Sequence, residues 1–410
     1  MPERALKVLT VFGTRPEAIK MAPLIAELER HPGRIDNRNC LTGQHKDMVA
    51  PLVALFGIRV DHDLKLMRPN QTLEHITVTV LQEVGRILRD EKFDLLLVQG
   101  DTTTSMAAAL AAFYAGVKVG HVEAGLRTFD KHNPYPEESN RKIIDAVADV
   151  YFAHTDLAKR HLLNEGIAEA AIEVTGNTVI DALLDVAARP YGFAGTPLAA
   201  LPLDTRRIVL VTAHRRESFG GPFESLCQGL RELALKYRDE IVLVYPVHRN
   251  PNVREVVDRV LAGIANVVLT DPLDYMPLVH LMKRCHLVLT DSGGLQEEAP
   301  SLGKPVLVMR KTTERQEGVA AGTVKLVGTE AADIVREASR LLDEPAAYAA
   351  MANRINPYGD GTAARQTVQR ILHDLPSMCH ASQATQARQP VQAALPSRTH
   401  QATTPARRDA

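Results

Sequence analysis

Short apolar runs alternate with longer helical stretches along most of the chain. The runs that predict strands are KVLTVF, DLLLVQ, VKVGHV, RIVLVT, EIVLVYPV, NVVLT, HLVLT and PVLVM. Most are continuously apolar, which is typical of parallel strands with helices packed on both faces. Between them, PEAIKMAPLIAELER and TLEHITVTVLQEVGRILRD have the spacing of amphipathic helices. Repeated strand–helix–strand units predict an α/β protein with doubly wound parallel sheets.

The two halves of the chain repeat the same arrangement of strands and polar loops. In the first half, apolar strands run into the loops Gly13–Glu17 and Gly100–Thr102. In the second half, the corresponding strands run into His214–Glu217 and Asp291–Gly294. Ligands of doubly wound sheets bind beyond the carboxyl ends of the strands. We therefore expect two Rossmann-like domains that face each other across a cleft, which holds the chemistry.

The change from a helical pattern to the loop-like YGFAGTPLAALPLD marks the join between the predicted domains. We expect the first domain over residues 1–180 and the second over residues 181–359, with a helix over 360–375 that crosses back to the first. Beyond it the chain consists mainly of Ala, Gln, Ser, Thr and Pro. Such a composition buries too little apolar surface to offset the entropy of ordering, so we expect a disordered tail over 376–410.

Charge and cysteine content narrow the class of protein. The 410 residues carry 48 Lys+Arg and 49 Asp+Glu, a balance that argues against a nucleic-acid partner. Cys40, Cys227, Cys285 and Cys379 lack the paired spacing of a disulfide framework or a zinc site. The first apolar stretch lacks the features of a secretory signal, and the run that begins at Met106 is shorter than the roughly 20 residues of a membrane span. These features predict a cytoplasmic protein with no membrane partner.

The segment Asp291-Ser292-Gly293-Gly294 follows an apolar strand and opens a predicted helix. Glycines let a ligand approach the backbone, and the free N–H groups of a helix N-terminus favour a phosphate. One turn further along, the carboxylate of Glu298 could accept hydrogen bonds from ribose hydroxyls. The alternative is a tight turn in which the glycines serve only the backbone conformation.

Basic side chains follow strands in both halves. His214 directly follows the strand RIVLVTA and precedes Arg215, and arginine forks match phosphate oxygens in a bidentate way. In the first half, Arg15 and Lys20 lie on the first loop and the helix after it. These groups predict a site for a small anionic ligand, whereas the alternative for the second-half segment is an exposed charged loop.

The first half supplies the carboxylates. Asp101 lies where the strand DLLLVQ ends, Glu123 follows VKVGHV, and Glu137 begins a helix after a proline. Acidic groups at the ends of separate elements that converge on one cleft indicate general acid/base chemistry.

Two ion pairs are predicted on the helix that begins at Glu137. Glu137 and Arg141 are four residues apart and share one helix face, where they could pair. Glu138 and Lys142 have the same spacing one residue further round, and we interpret them as an ordinary surface pair.

The remaining histidines at predicted strand ends carry less information. His121 and His248 are each more simply explained as structural residues. Since no His-x-x-x-His or Cys-x-x-Cys spacing accompanies His214, the sequence predicts no metal site.

The motifs taken together resemble one family, the non-hydrolysing UDP-N-acetylglucosamine 2-epimerases. The matching segments are FGTRPEAIKMAPLI, TGQH, VQGDTTT, HVEAGLRT, PYPEESNRKIID, VTGNTVIDAL, HRRES, DYMPLVHLM and TDSGGLQEEAPSLGKPVLVMR. They follow one another in the family's order from about Lys7 to about Asp374. No single segment is specific, but the ordered set is.

The resemblance implies the two-domain GT-B fold and a homodimer. It also implies the reaction, which interconverts UDP-GlcNAc and UDP-ManNAc by inverting carbon 2 of the sugar. In this family the proton at carbon 2 is removed as UDP is expelled, and UDP then adds back with a proton delivered to the opposite face. The family needs no cofactor and no metal.

The resemblance also implies roles for particular residues. Those that match the family's catalytic positions are Asp101, Glu123, Glu137, Arg141 and His214. Those that match its substrate and UDP-binding positions are Arg15, Lys20, Asp101, Glu123, His214, Ser292, Gly293, Gly294, Glu298 and Arg315. A second, activating UDP-GlcNAc of bacterial members would be held by Gln44, Gln71, Glu137, Arg215 and His248.

This sequence departs from the family pattern at three positions. Leu273 and Leu278 stand where the family often has Gln and Phe, so uracil contacts there would rest on backbone and apolar packing. Asn70 stands where some members have Arg at the activator site.

Three other activities remain open at this point. A GT-B glycosyltransferase would use the same UDP-sugar grip, but it has no need for Asp101, Glu123 and Glu137 together. A hydrolysing epimerase would release free ManNAc. A 2-epimerase of a related UDP-diacetamido sugar would keep the chemistry and change the substrate, because no residue that contacts carbon 3 or carbon 6 is identified.

Overall fold

Two parallel sheets organise the protein, one in each half of the chain. The computed structural model describes residues 4–44, 46–68, 71–202 and 205–386. Within these residues every strand pair is parallel. No helix of this described part is long and apolar enough to cross a membrane.

The first sheet has seven strands and is flanked by helices. Its strands are β1 (Leu6–Phe12), β2 (Ile35–Leu41), β3 (His62–Asp63), β4 (Leu95–Gln99), β5 (Lys118–Ala124), β6 (Val150–Ala153) and β7 (Ile172–Val174). They lie in the order β3-β2-β1-β4-β5-β6-β7. The helices of this half are α1 (Arg15–Glu29), α2 (Lys46–Phe56), α3 (Leu73–Glu91), α4 (Thr103–Ala115), α5 (Glu137–Val147) and α6 (Asp156–Asn164).

The second sheet has six strands in a similar arrangement. After the linking helix α7 (Thr178–Ala188), the strands are β8 (Arg207–Thr212), β9 (Ile241–Pro246), β10 (Val267–Thr270), β11 (Leu287–Thr290), β12 (Val306–Val308) and β13 (Val324–Leu326). Their order is β10-β9-β8-β11-β12-β13. The helices are α8 (Gly221–Lys236), α9 (Pro251–Leu261), α10 (Tyr275–Arg284), α11 (Gly293–Ser301), α12 (Gln316–Ala321), α13 (Ala331–Asp343), α14 (Pro345–Ala352) and α15 (Ala363–Gln386).

Each sheet reverses its direction of winding at one place, between β1 and β4 in the first and between β8 and β11 in the second. Ligands of open α/β sheets bind in the crevice at such a switch point. The four loops that follow these strands are the polar loops predicted to hold the chemistry. The predicted fold class, two doubly wound Rossmann-like domains facing across a cleft, is confirmed.

The linking helix α7 belongs to the cores of both halves. It packs against α1 in the first half and against α10 and α11 in the second. Its apolar residues Val179, Ile180, Leu183 and Val186 are buried in one continuous cluster. The predicted domain boundary after residue 180 therefore falls inside this helix.

The C-terminal helix α15 packs against α1 and α7. Asp181 of α7 accepts hydrogen bonds from the backbone N–H groups of Ala363 and Ala364 at 3.2 and 2.9 Å, which satisfies free donors at the helix start. The predicted end of this helix at residue 375 is too early, because helical backbone continues through Gln386. Alanine and glutamine in this stretch favour a helix despite its lack of large apolar residues. Residues 387–410 of the predicted tail lie outside the described residues.

Gly125 lies directly after β5 and against α6. Its φ is +84°, and an added Cβ would lie 2.3 Å from the carbonyl oxygen of Ala158. Gly195 has a similar φ of +76° but open space where its Cβ would be. We expect Gly195→Ala to lower the free energy of unfolding by about 1–2 kcal/mol, the cost of left-handed backbone.

Gly125→Ala should cost about 4 kcal/mol or more, because the backbone of α6 must also move. Urea unfolding of the two variants measures the difference. Equal losses would show that α6 relaxes freely.

Candidate active site

The carboxyl ends of the strands at both switch points face one cavity of about 650 Å³. Both halves of the chain contribute to its wall. The first half supplies Arg15, Lys20, Gln44, Asp101, Glu123, Glu137 and Arg141, and the second half supplies Arg215, Ser292, Gly293, Gly294, Glu298 and Arg315.

Glu17 ties the loops after β1 and β4 together at the cavity wall. Thr14 and Glu17 form a capping box at the start of α1, where Glu17 accepts the N–H groups of Gly13 and Thr14 at 3.1 and 2.7 Å. The other carboxylate oxygen of Glu17 accepts the hydroxyls of Thr102 and Ser105 at 2.7 and 2.8 Å. Sequence reasoning missed this residue, although the spacing Thr-x-x-Glu before an apolar run signals such a box.

Glu123 is buried at a bulge in β5, in the left-handed backbone region with φ +65°. Its carboxylate accepts hydrogen bonds from Lys20 Nζ at 2.5 Å and from the Gln99 side chain. Burial alone would raise the pKa of Glu123, but Lys20, His154 and Arg315 outweigh it and hold the pKa below its usual range. Glu123 is therefore an ionised carboxylate.

Asp101 is held by Arg141, which reaches it from the first turns of α5. Arg141 also donates to Glu138 at 2.9 Å rather than to Glu137, so the predicted Glu137–Arg141 pair is wrong. The predicted surface pair of Glu138 and Lys142 is wrong as well. Glu138 is fully buried and accepts the N–H groups of Thr128 and Phe129 at 3.0 and 2.9 Å. Glu138 thus orients the arginine that holds Asp101.

The carboxylate of Glu137 has fewer hydrogen-bond partners than those of Asp101 and Glu123. Its Oε2 atom is buried and has no hydrogen-bond partner among the described residues. Burial and the nearby Asp101 raise the pKa of Glu137, while Arg141 and Arg215 act in the opposite direction. A carboxyl group at a cavity wall is suited to accept and return a proton when its pKa is raised and one of its oxygens has no hydrogen-bond partner.

His214 lies at the end of β8, beside Asp291. Asp291 is buried and accepts the backbone N–H groups of His214 and Arg215 at 2.6 and 2.7 Å, so it fixes the loop after β8 to β11. The His214 ring stacks on His248 with centroids 5.1 Å apart. Burial lowers the pKa of His214, and His248 and Arg215 lower it further, against the attraction of Asp291. Sequence reasoning named Asp291 but missed that it anchors the His214 loop.

Helix α11 begins at Gly293, and its first residues, Gly293, Gly294 and Leu295, line the cavity. Ser292 makes no side-chain cap, so these donors remain available to a ligand. Within the same helix, Glu298 accepts the Tyr275 hydroxyl at 2.8 Å. Burial raises the pKa of Glu298 to about 7. This end of the cavity therefore combines the uncapped start of a helix with a carboxyl group whose pKa is raised.

Three further cations lie at the cavity wall, and one of them, Arg15, joins the two halves. Arg315 is half-buried and donates to the buried Glu297 of α11 at 2.7 Å. Arg15 of α1 donates to the carbonyl oxygen of Leu273 in the second half at 3.3 Å. Arg215 lies 3.9 Å from Glu314. A role for Glu297 was not predicted, because nothing in the helix pattern distinguishes it from its neighbour Glu298.

The predicted activator residues do not all line the main cavity. Gln44 does, and it accepts a hydrogen bond from the Gln71 side chain through its carbonyl oxygen at 2.9 Å. His248 lines a neighbouring cavity of about 820 Å³, which is also lined by Leu273. Asn70 lies outside the described residues.

His121 lies in an environment that suits the structural role predicted for it. It is fully buried, and its ring nitrogens lie 2.6 Å from Asp145 and 2.7 Å from the carbonyl oxygen of Gly100. Among the described residues, no group of three or more His, Cys, Asp and Glu side chains could hold a metal ion.

Comparison with known proteins gives a consistent result. The family model for UDP-N-acetylglucosamine 2-epimerase matches residues 26–372. A UDP-N-acetylglucosamine 2-epimerase of Yersinia pestis is 52% identical over 375 residues, which cover 90% of this chain and 98% of that protein.

Two crystal structures are similar over nearly their whole length. The UDP-GlcNAc 2-epimerase from Neisseria meningitidis, bound to UDP-GlcNAc, is 47% identical with a TM-score of 0.82, covering 90% of this chain and 100% of that one. A putative UDP-N-acetylglucosamine 2-epimerase from Listeria monocytogenes is 44% identical with a TM-score of 0.85, covering 91% and 97%. The chain belongs to the UDP-N-acetylglucosamine 2-epimerase family.

Proposed function

We propose that this protein interconverts UDP-N-acetylglucosamine and UDP-N-acetylmannosamine by inverting carbon 2, through elimination and re-addition of UDP. One observation carries the proposal. In a chain of this family, three carboxylates in different environments share a single cavity with cations and a free helix N-terminus. The product would supply activated ManNAc for surface polysaccharide synthesis.

Departure of UDP requires stabilisation of the charge that develops on its phosphates. The N–H groups at the start of α11 and the guanidinium groups of Arg15 and Arg215 line the cavity and suit this task. His214, fixed beside Arg215 by Asp291, adds a polar ring near the same end. Uridine would bind with its ribose near Glu298.

Proton transfer at carbon 2 needs groups that can both take and give a proton. The hydrogen there is only weakly acidic, so its removal must accompany departure of the diphosphate. Glu137, with a raised pKa and an unbonded oxygen, is suited to carry the proton. Glu123 stays ionised beside Lys20, and Asp101 is oriented by Arg141. Two faces of the sugar are used in turn, which accounts for more than one carboxylate.

The activator site stays part of this proposal. Gln44, Glu137 and Arg215 line the main cavity, and His248 lines the adjoining one. A second UDP-GlcNAc bound beside the substrate would contact both cavities. A glycosyltransferase is not favoured, because it needs no set of acid/base carboxylates.

We further propose that the protein works in the cytoplasm as a homodimer. Cys40, Cys227 and Cys285 are free thiols, which suits a reducing compartment. At the end of α4, Phe113 and Tyr114 are 56% and 67% exposed, and large adjacent rings of this kind are typical of contact surfaces. Light scattering should give twice the mass of one chain, and Phe113→Ser with Tyr114→Ser should shift the mass towards one chain if these rings contribute to the contact.

Solvent exchange at carbon 2 tests the reaction directly. In heavy water, the pure protein should convert UDP-GlcNAc to UDP-ManNAc without an acceptor, and deuterium should enter carbon 2 of both sugars. Proton NMR follows the loss of that signal. Turnover without label at carbon 2, or products limited to free ManNAc and UDP, would contradict the proposal.

Loss of a single site carboxylate should remove most of the activity. We expect Asp101→Asn, Glu123→Gln and Glu137→Gln each to reduce turnover about 10²-fold or more, the usual scale for an acid/base group. The matched control is Glu169→Gln, since that carboxylate is 72% exposed and, within the described part of the chain, forms an ion pair with Lys159 alone. Near-normal turnover in all three site variants would contradict the assignment.

A further inference from the structure

Asn177 lies at the junction of the two domains and contacts both. It follows β7, is 2% exposed, and forms the N-cap of α7 by accepting the Val179 N–H at 3.1 Å. Its backbone N–H donates to the carbonyl oxygen of Tyr358, just before α15, at 2.7 Å. Both its backbone and its cap are therefore fixed, which leaves the side-chain NH₂ group in one orientation.

That NH₂ group donates to two carboxylates from opposite domains. Asn177 Nδ2 lies 3.3 Å from Glu123 Oε1 in the first domain and 2.9 Å from Glu297 Oε2 in the second. Each carboxylate has its own cation on the far side, Lys20 for Glu123 and Arg315 for Glu297. The amide is thus a neutral bridge between two buried ion pairs.

The charge balance around the bridge requires a neutral donor. The ionisable groups that interact there are Lys20 of α1, Glu123 of β5, His154 after β6, Glu297 of α11, Arg315 before α12, Glu317 of α12 and Tyr358. Two carboxylates that accept from the same amide repel each other, and the donor between them offsets this repulsion. A buried charge becomes strongly destabilising when one of its partners is removed. An ionised aspartate at position 177 would have nearly the same shape but no hydrogen to donate.

We propose that Asn177 is a positioning residue that couples the orientation of Glu123 to helix α11 across the domain junction. The inference rests on the proposed function, in which Glu123 is one of the carboxylates that serve the reaction at carbon 2 and the start of α11 stabilises the diphosphate. Because one amide contacts both carboxylates, a movement of α11 with its ligand is transmitted to Glu123. No other described side chain donates to both carboxylates.

Two substitutions separate the bridge from the helix cap. Asn177→Asp and Asn177→Ser both keep an oxygen that can cap α7, yet both remove the NH₂ donor. The matched control is Asn250→Asp, at the half-buried N-cap of α9, where the side chain accepts the Asn252 N–H at 3.0 Å. We expect both Asn177 variants to lose tenfold or more in kcat for deuterium exchange at carbon 2. Their affinity for UDP, measured by calorimetry, should stay within about threefold.

The pH dependence distinguishes positioning from a general structural defect. In Asn177→Asp the new carboxyl is buried between Glu123 and Glu297, so its proton is held to a higher pH than usual. Its neutral form has an O–H that can donate to one neighbour. The ratio of variant to wild-type kcat should therefore rise as pH falls from 8 to 5.5, and the difference in melting temperature should shrink. For Asn177→Ser both should stay flat.

Each remaining outcome overturns one claim. If the wild-type protein exchanges deuterium and Asn177→Asp has the same kcat, the inference is overturned and the proposed function stands. Losses in both variants that ignore pH and follow only the melting temperature would do the same. Absence of exchange in the wild-type protein would overturn the proposed function, and the pH dependence of the melting temperature would still test the bridge.

Discussion

The whole site depends on burying ionised carboxylates where two domains meet. Removing a charge from water costs several kcal/mol or more unless partners replace the lost solvation. Here Lys20 lies against Glu123 and Arg315 lies against Glu297, with Asn177 between the pairs. The cleft can therefore hold opposite charges close together, where they can act on a bound ligand.

The geometry of the sheets explains why the site could be located from the sequence. A strand that ends in polar residues directs them to one edge, and a switch point opens a crevice at that edge. The loops after β1, β4, β8 and β11 follow the strands on either side of the two switch points. Apolar runs show where such strands end, so most of the cavity wall was predictable. The roles of its residues, by contrast, came from family resemblance.

The parts that could not be predicted depend on contacts between distant segments. Glu138 has the spacing of a surface residue, and only the loop folded over it makes it a buried acceptor for Thr128 and Phe129. Strand β2 was missed because its segment IDNRNCL is polar. Asn37 and Asn39 are buried there and bond to each other at 2.8 Å, with Thr10 donating to Asn39 at 2.5 Å. The local sequence does not show that hydrogen-bond partners for these side chains lie on the neighbouring strand.

The position of α7 in both cores limits how this architecture can be rearranged. Val179, Ile180, Leu183 and Val186 contribute to one apolar seam that runs from α1 to α10 and α11. Dividing the chain in the loop after α7 would leave one fragment with an exposed apolar helix face and the other with an uncovered apolar core. Chimeras made from two relatives would therefore have to exchange this helix together with the surfaces it touches. Recombination between such genes is constrained by one element rather than by the length of sequence on either side.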